Sequence, residues 1–306
     1  MTAPSTDAVV ERLRRFSRFE APGHVEEQLY LETPAGPLFA TALDPAATRR
    51  EAAFATCHSF AWEQFELHPL ELAFARAAAD AGFPSLVPQA RGYGDSGGPF
   101  AEVTPATHVR DAVAAAELLG GRTGLAVIPV GARFGASVAL AAAVRTGAPG
   151  VALWDPPERP ARYFQALLRA LQVAGVSDEE GEVDVAAPPV ADVKRALEEG
   201  RTVDLFGYPL TAACYAEGRA MDPLAGAERV PPRALIVTVN PGTRGSAQRL
   251  AARLRDLGSD VRLAEAEGPG RGDFGLGIPR AGHLATHLET FRDVARRTLA
   301  WAGEAW

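Results

Sequence analysis

Short apolar runs alternate with alanine-rich stretches of helical spacing along most of this chain, and that alternation is its strongest constraint on fold. "VEEQLYLET" and "GPLFATAL" read as an opening hairpin, "EAAFATCHSF" as a buried strand, and "PLELAFARAAADAG" as a helix stopping at Gly82. Then follow strand "FPSLVPQA", helix "ATHVRDAVAAAELLG", strand "GLAVIPVG", helix "GASVALAAAVRTG" and strand "GVALWD". Strands separated by helices of this length predict an α/β fold with a mostly parallel central sheet flanked by helices.

The rhythm breaks between Pro156 and Pro232. That segment holds a helical piece "ARYFQALLRALQVAG", an acidic linker "SDEEGEVDVAAPPV", a second helix "ADVKRALEEG" and the apolar "TVDLFGYPLTAACYAEG". Insertions this long in an α/β domain commonly cover a site. The rhythm resumes with strand "RALIVTVN", helix "SAQRLAARLRDLG", strand "DVRLAEAE", a glycine-rich loop over 268–282 and a final helix. The expected organisation is an N-terminal helical extension over 1–22, a core made of 23–155 and 232–306, and a helical cap or lid over 156–231.

Composition removes several function classes. The net charge is −7, and 31 Lys and Arg are scattered among 38 acids, which leaves no basic stripe for nucleic acid. Apolar runs fall short of the ~18 residues a membrane helix needs, so no span is expected. The N-terminal "MTAPSTDAVVERLRRFSRFE" places arginines in an amphipathic pattern without the apolar core of a signal peptide, which predicts a cytoplasmic protein. Two cysteines, Cys57 and Cys214, supply neither a disulfide framework nor a metal-binding spacing. No cofactor is expected, and a homo-oligomer is compatible with the sequence.

Strand "AVIPV" runs directly into Gly131-Ala132-Arg133-Phe134-Gly135 and on into a helix. Glycines two before and two after a central residue, at a tight strand-to-helix junction, are the pattern of a nucleophile elbow. The central residue is Arg133, which stays protonated and cannot attack a carbonyl. A serine does stand in "GYGDSGGPF", which contains Gly-Asp-Ser-Gly-Gly-Pro, the run that surrounds the nucleophile of trypsin-like proteases. Ser96 comes early, among Ala-rich helices and without disulfides, so that context is missing. Asp95 and Ser96 read instead as caps of a glycine-rich turn.

On "CHSFAWE" (57–63), "RGYGDSGG" (91–98), "GARFG" (131–135) and "VALWDPP" (151–157), the chain resembles the α/β-hydrolase superfamily over roughly residues 25 to 302. Within it, the motifs look most like the branch described as exosortase-A-associated hydrolase 2. The resemblance implies an α/β-hydrolase fold and a setting in bacterial envelope or secondary metabolism. It also implies a loop near His58, Ser59 and Glu63 that helps bind a substrate oxygen, and an acid after "ALIVTVN". There the chain has Asn240, an amide; Asp155 occupies the alternative acid position. The base is expected in the loop after the last strand, where His283 is the nearest match and His287 lies one helical turn on.

The candidate catalytic residues are therefore Arg133, His58, Asp155 and His283, with Ser59, Glu63, Phe134, Trp154 and Asn240 as candidate substrate contacts. Two readings of Arg133 are open: it anchors an anionic ligand, a carboxylate or phosphate, or it forms a buried ion pair with Asp155, Glu63 or Asp95. The expected function is a non-serine enzyme acting on an acyl or carboxylate-bearing small molecule. The alternatives are a non-catalytic ligand-binding or partner-binding protein, and an esterase using Ser96; Cys57 is a further candidate nucleophile.

Overall fold

The computed structural model describes residues 17–174, 188–267 and 283–306 and, of residues 172–174 and 283–287, the backbone only. The strands are β1 (Arg18–Glu20), β2 (His24–Leu31), β3 (Leu38–Pro45), β4 (Ala52–Cys57), β5 (Ser85–Pro88), β6 (Ala126–Ala132), β7 (Gly150–Trp154), β8 (Val203–Leu205), β9 (Tyr208–Leu210), β10 (Arg233–Thr238) and β11 (Asp260–Glu265). The helices are α1 (Trp62–Asp80), α2 (Pro105–Thr123), α3 (Phe134–Thr146), α4 (Pro160–Ala174), α5 (Val190–Glu198), α6 (Ala212–Ala220), α7 (Arg244–Asp256) and α8 (His283–Gly303).

Nine of these strands form one sheet in the order β1-β2-β3-β5-β4-β6-β7-β10-β11. From β5 to β11 every pairing is parallel; β3 joins β5 antiparallel, and β2 and β1 extend the antiparallel edge. Period-two alternation sends neighbouring side chains of each strand to opposite faces. On β7, Val151 and Leu153 join the apolar cluster with α2, α3 and α7, while Ala152 and Trp154 join the cluster with α1 and α8. Chain order reverses across the sheet at β4: β5 is laid down on one side of it and β6 on the other. In open α/β sheets the crevice outside the carboxyl ends of the strands at such a switch point is where ligands bind.

Three stretches differ from the sequence expectation. Arg18–Glu20, inside the stretch 1–22 expected to be a helical extension, pairs with β2 as a strand. Helix α1 starts at Trp62 and runs through Pro69, at which the sequence reading began the helix. A proline within a helix removes one backbone bond, but burial of Leu67, Leu70 and Phe74 along one face carries the helix across it. Glu63 consequently sits in a first helical turn. In the segment between β7 and β10, the apolar "TVDLFGYPL" folds as the hairpin β8–β9. Its inward residues Leu205 and Leu210 are fully buried.

Candidate active site

Strand β6 delivers the chain to Arg133, whose φ of 55° and ψ of −121° lie outside the regions that non-glycine residues favour. Such a conformation costs on the order of 1–3 kcal/mol and persists only where the surroundings fix it. Here they do. The Arg133 amide donates to the Trp154 carbonyl at 2.9 Å, and the Arg133 carbonyl accepts from Ala136 at 3.1 Å. A methyl group at Gly131 would collide with the Gly135 carbonyl, and one at Gly135 with the Cys57 carbonyl at the end of β4. The two glycines let the turn close against the neighbouring strand.

The Arg133 side chain is 6% exposed. Its Nε donates to Glu63 Oε1 at 3.2 Å and its Nη1 to Asp155 Oδ2 at 3.1 Å, and the guanidinium carbon lies 6.0 Å from the Tyr163 ring centroid. Both carboxylates are fully buried. Of the sequence alternatives, Asp95 makes no such bond; its amide is held by Gln89 Oε1 at 2.8 Å. Desolvation works to lower the Arg133 pKa, but attraction to Glu63 and Asp155 outweighs it and the net direction is up. Glu63 also moves up, because its burial outweighs the stabilisation from Arg133 and from the Ser59 and Tyr163 hydroxyls. A guanidinium has five N–H donors, and these two bonds use two of them.

Asp155 is held at φ 48°. Its Oδ1 accepts from the amides of Val239 and Asn240, each at 3.2 Å, and from the Thr243 hydroxyl, so it ties the end of β7 to the loop after β10. Asn240 caps the short 3-10 turn Pro241–Thr243 by accepting from the Gly242 amide at 2.8 Å. The Ser59 hydroxyl donates to Glu63 Oε2 at 2.6 Å and the Ser59 amide to Gln64 Oε1 at 2.6 Å, while Gln64 Nε2 donates to Glu71 Oε2 at 2.8 Å. The Ala61 amide donates to the Tyr93 hydroxyl at 2.8 Å. Two amides of the loop expected to receive a substrate oxygen are thus already bonded.

His58 lies against Tyr93 with ring centroids 4.8 Å apart, and neither of its ring nitrogens has a hydrogen-bond partner. Burial, with His108 and His68 nearby, holds its pKa well below the usual histidine range, so the ring is neutral. Each unpaired buried polar group costs about 1–3 kcal/mol. Cys57 points back toward the Ala55 carbonyl, and burial pushes its thiol pKa up, which removes the thiolate a nucleophile needs.

The remaining sequence candidates fall in different places. Phe134 is fully buried and stacks on Tyr163 at 5.3 Å. Trp154 faces the opposite side of the sheet, between Phe74 and Phe291, with Nε1 donating to Thr298 Oγ1 at 3.0 Å. The Ser96 hydroxyl accepts from the Phe39 amide at 2.9 Å and donates to the Gln89 carbonyl at 2.7 Å, bracing β3 against the loop after β5. His283 begins α8, but its side chain and the glycine-rich loop 268–282 lie outside the described residues. Among the described residues, no group of three or more His, Cys, Asp or Glu is placed to hold a metal ion.

Sequence reasoning missed Tyr163, Gln64, His68, Glu71 and Thr243. Gln64, His68 and Glu71 recur at helical spacing, a signal legible only once α1 is known to begin at Trp62.

No protein-family model and no curated protein matches the chain. Solved structures do match its backbone. A hyperthermophilic esterase from Pyrobaculum calidifontis aligns with a TM-score of 0.57 at 16% identity, over 97% of this chain and 92% of that one. Est1E from Butyrivibrio proteoclasticus, solved with ferulic acid bound, aligns with 0.57 at 13% identity, over 89% and 99%. A serine hydrolase homologue from Coxiella burnetii aligns with 0.52 at 14% identity, over 89% and 96%. Likeness at these identities speaks for architecture and not for chemistry. With its parallel sheet, its switch point at β4 and an elbow turn at Arg133, the chain has the α/β-hydrolase fold.

Proposed function

We propose that this protein is a hydrolase-like enzyme acting on an acyl small molecule of ester or thioester type, by a mechanism that uses no serine nucleophile. The observation that carries the reading is Arg133 at the elbow, held by Glu63 and Asp155 with three N–H donors outside those bonds. Two carboxylates already face the guanidinium, so a third anion is repelled, and a neutral acyl carbonyl is the better occupant than a carboxylate. Such a carbonyl gains negative charge as water attacks its carbon, and a fixed guanidinium stabilises that charge. The C–O or C–S bond then breaks as the alcohol or thiol leaves with the proton that water gave up. His58, neutral and unpaired, is the proposed proton acceptor. Asp155 positions Arg133, and His283 stays a candidate base. The setting in bacterial envelope or secondary metabolism rests on the motif resemblance.

A second reading, a non-catalytic ligand-binding or partner-binding protein, is favoured by one observation: both carboxylates are spent on Arg133 itself. Turnover of a panel of nitrophenyl esters and acyl thioesters separates the two. The enzyme reading expects hydrolysis without labelling by a fluorophosphonate probe, and loss of hydrolysis in a folded Arg133→Lys variant. No turnover across the panel moves the conclusion to the binding protein, and labelling of any serine overturns the non-serine mechanism.

A further inference from the structure

We propose that ordered water occupies a buried site between the carboxyl end of β4 and the inner face of α1, linking His58 to the half-exposed His68. Among the described residues, the buried side-chain atoms without a partner are Thr56 Oγ1, both ring nitrogens of His58, His68 Nδ1, Glu71 Oε1 and Arg233 Nε. All but the last belong to the end of β4 or to α1. Phe54 packs on Phe74 of α1, and strand alternation turns Thr56 the same way. The His58 and His68 rings are 6.4 Å apart between centroids, and His68 Nδ1 stands 3.9 Å from Glu71 Oε2, too far for a hydrogen bond.

The chemistry of these atoms selects the occupant. A neutral imidazole offers one N–H and one lone pair, and a threonine hydroxyl offers both as well, so the site presents donors and acceptors together. A metal ion accepts only lone pairs, and no three ligands here are placed to hold one. An apolar molecule would leave every orphan unpaired. Water both donates and accepts, and buried water characteristically bridges groups of this kind. His68, with its side chain 27% exposed, gives the site a solvent end, while Glu71 and Thr56 are sealed at 1%. The site therefore offers His58 a route for proton exchange with solvent. Water binding stands without the proposed catalysis; only the use of that proton route by an enzyme rests on it.

The test is a high-resolution crystal structure of the full chain, together with water-to-ring nuclear Overhauser spectra of the histidine-labelled protein. The expected result is ordered density within hydrogen-bonding distance of a His58 ring nitrogen and of Glu71 Oε1, with cross-peaks from long-lived water to the His58 N–H. Those cross-peaks disappear in Glu71→Leu or, should that variant not fold, weaken in Thr56→Val. A site without density or cross-peaks overturns the proposal. So does stoichiometric metal in the purified protein, or direct bonding of His58 to a protein group. Ester turnover plays no part in this measurement, so its failure and the failure of the enzyme reading are separable.

Discussion

Arg133 Nη1 donates to Asp155 Oδ2 at 3.1 Å, and both residues have positive φ, 55° and 48°. Each stands at the carboxyl end of a strand, and β6 and β7 are neighbours in the sheet. The ion pair therefore clamps two strained turns together, with Glu63 closing the far side of the guanidinium.

Removing the arginine should expose what the clamp is worth. Arg133→Met leaves two buried carboxylates without their cation, and breaking a buried pair in this way costs about 3–5 kcal/mol. Urea denaturation should show that loss, with a smaller one for Arg133→Lys, which keeps the charge but not the planar fork. An unchanged unfolding midpoint for Arg133→Met would show that the pairs do not form.

The contribution of Glu71 to stability should fade as pH rises from acid to neutral. Burial raises Glu71 from 4.5 to about 8 and also raises Glu63. A carboxyl whose folded pKa exceeds its unfolded value binds its proton more tightly when folded. Its contribution is present at low pH and is lost as pH rises between about 4.5 and about 8. Glu71→Gln should flatten that slope and raise stability by about 2–4 kcal/mol above this window. Unfolding followed across this range checks the sign; a Glu71→Gln variant with the wild-type slope would remove Glu71 as the cause.

Ser96→Ala should cost about 1–2 kcal/mol, because the Phe39 amide loses its acceptor. Any esterase activity should survive it, since the hydroxyl is committed to the turn. Abolished turnover in a folded variant would return Ser96 to the list of nucleophiles.

The elbow glycines should tolerate no side chain. Gly131→Ala and Gly135→Ala each drive a methyl group into backbone, and losses above about 3 kcal/mol are expected from such overpacking. Gly121→Ala is the control: it lies within α2 with open space around it and should gain about 0.5–1 kcal/mol. Thermal melting of the three variants tests the contrast.

The alternation of strand and helix, the elbow glycines and the arginine between them were legible in the sequence, because each is a local pattern that backbone geometry reads within a few residues. The start of α1 was not, since Pro69 argued locally for a boundary and only the buried face of Leu67, Leu70 and Phe74 carries the helix across it. Nor was the hairpin β8–β9, whose short strands bury Leu205 and Leu210 against distant helices.

Taken alone, the sequence determined the fold class and placed an arginine between the two elbow glycines. It left Glu63, Asp155 and Asp95 as equal partners for Arg133. Tertiary structure chose among them through strand order. β4 and β7 flank β6, so the residues that follow them, Glu63 and Asp155, reach the guanidinium from either side across 70 and 22 residues of sequence. Asp95 follows β5, which β4 separates from β6. Charge pairing in a buried site depends on which strands are neighbours in space, and that order is set by the packing of the whole sheet.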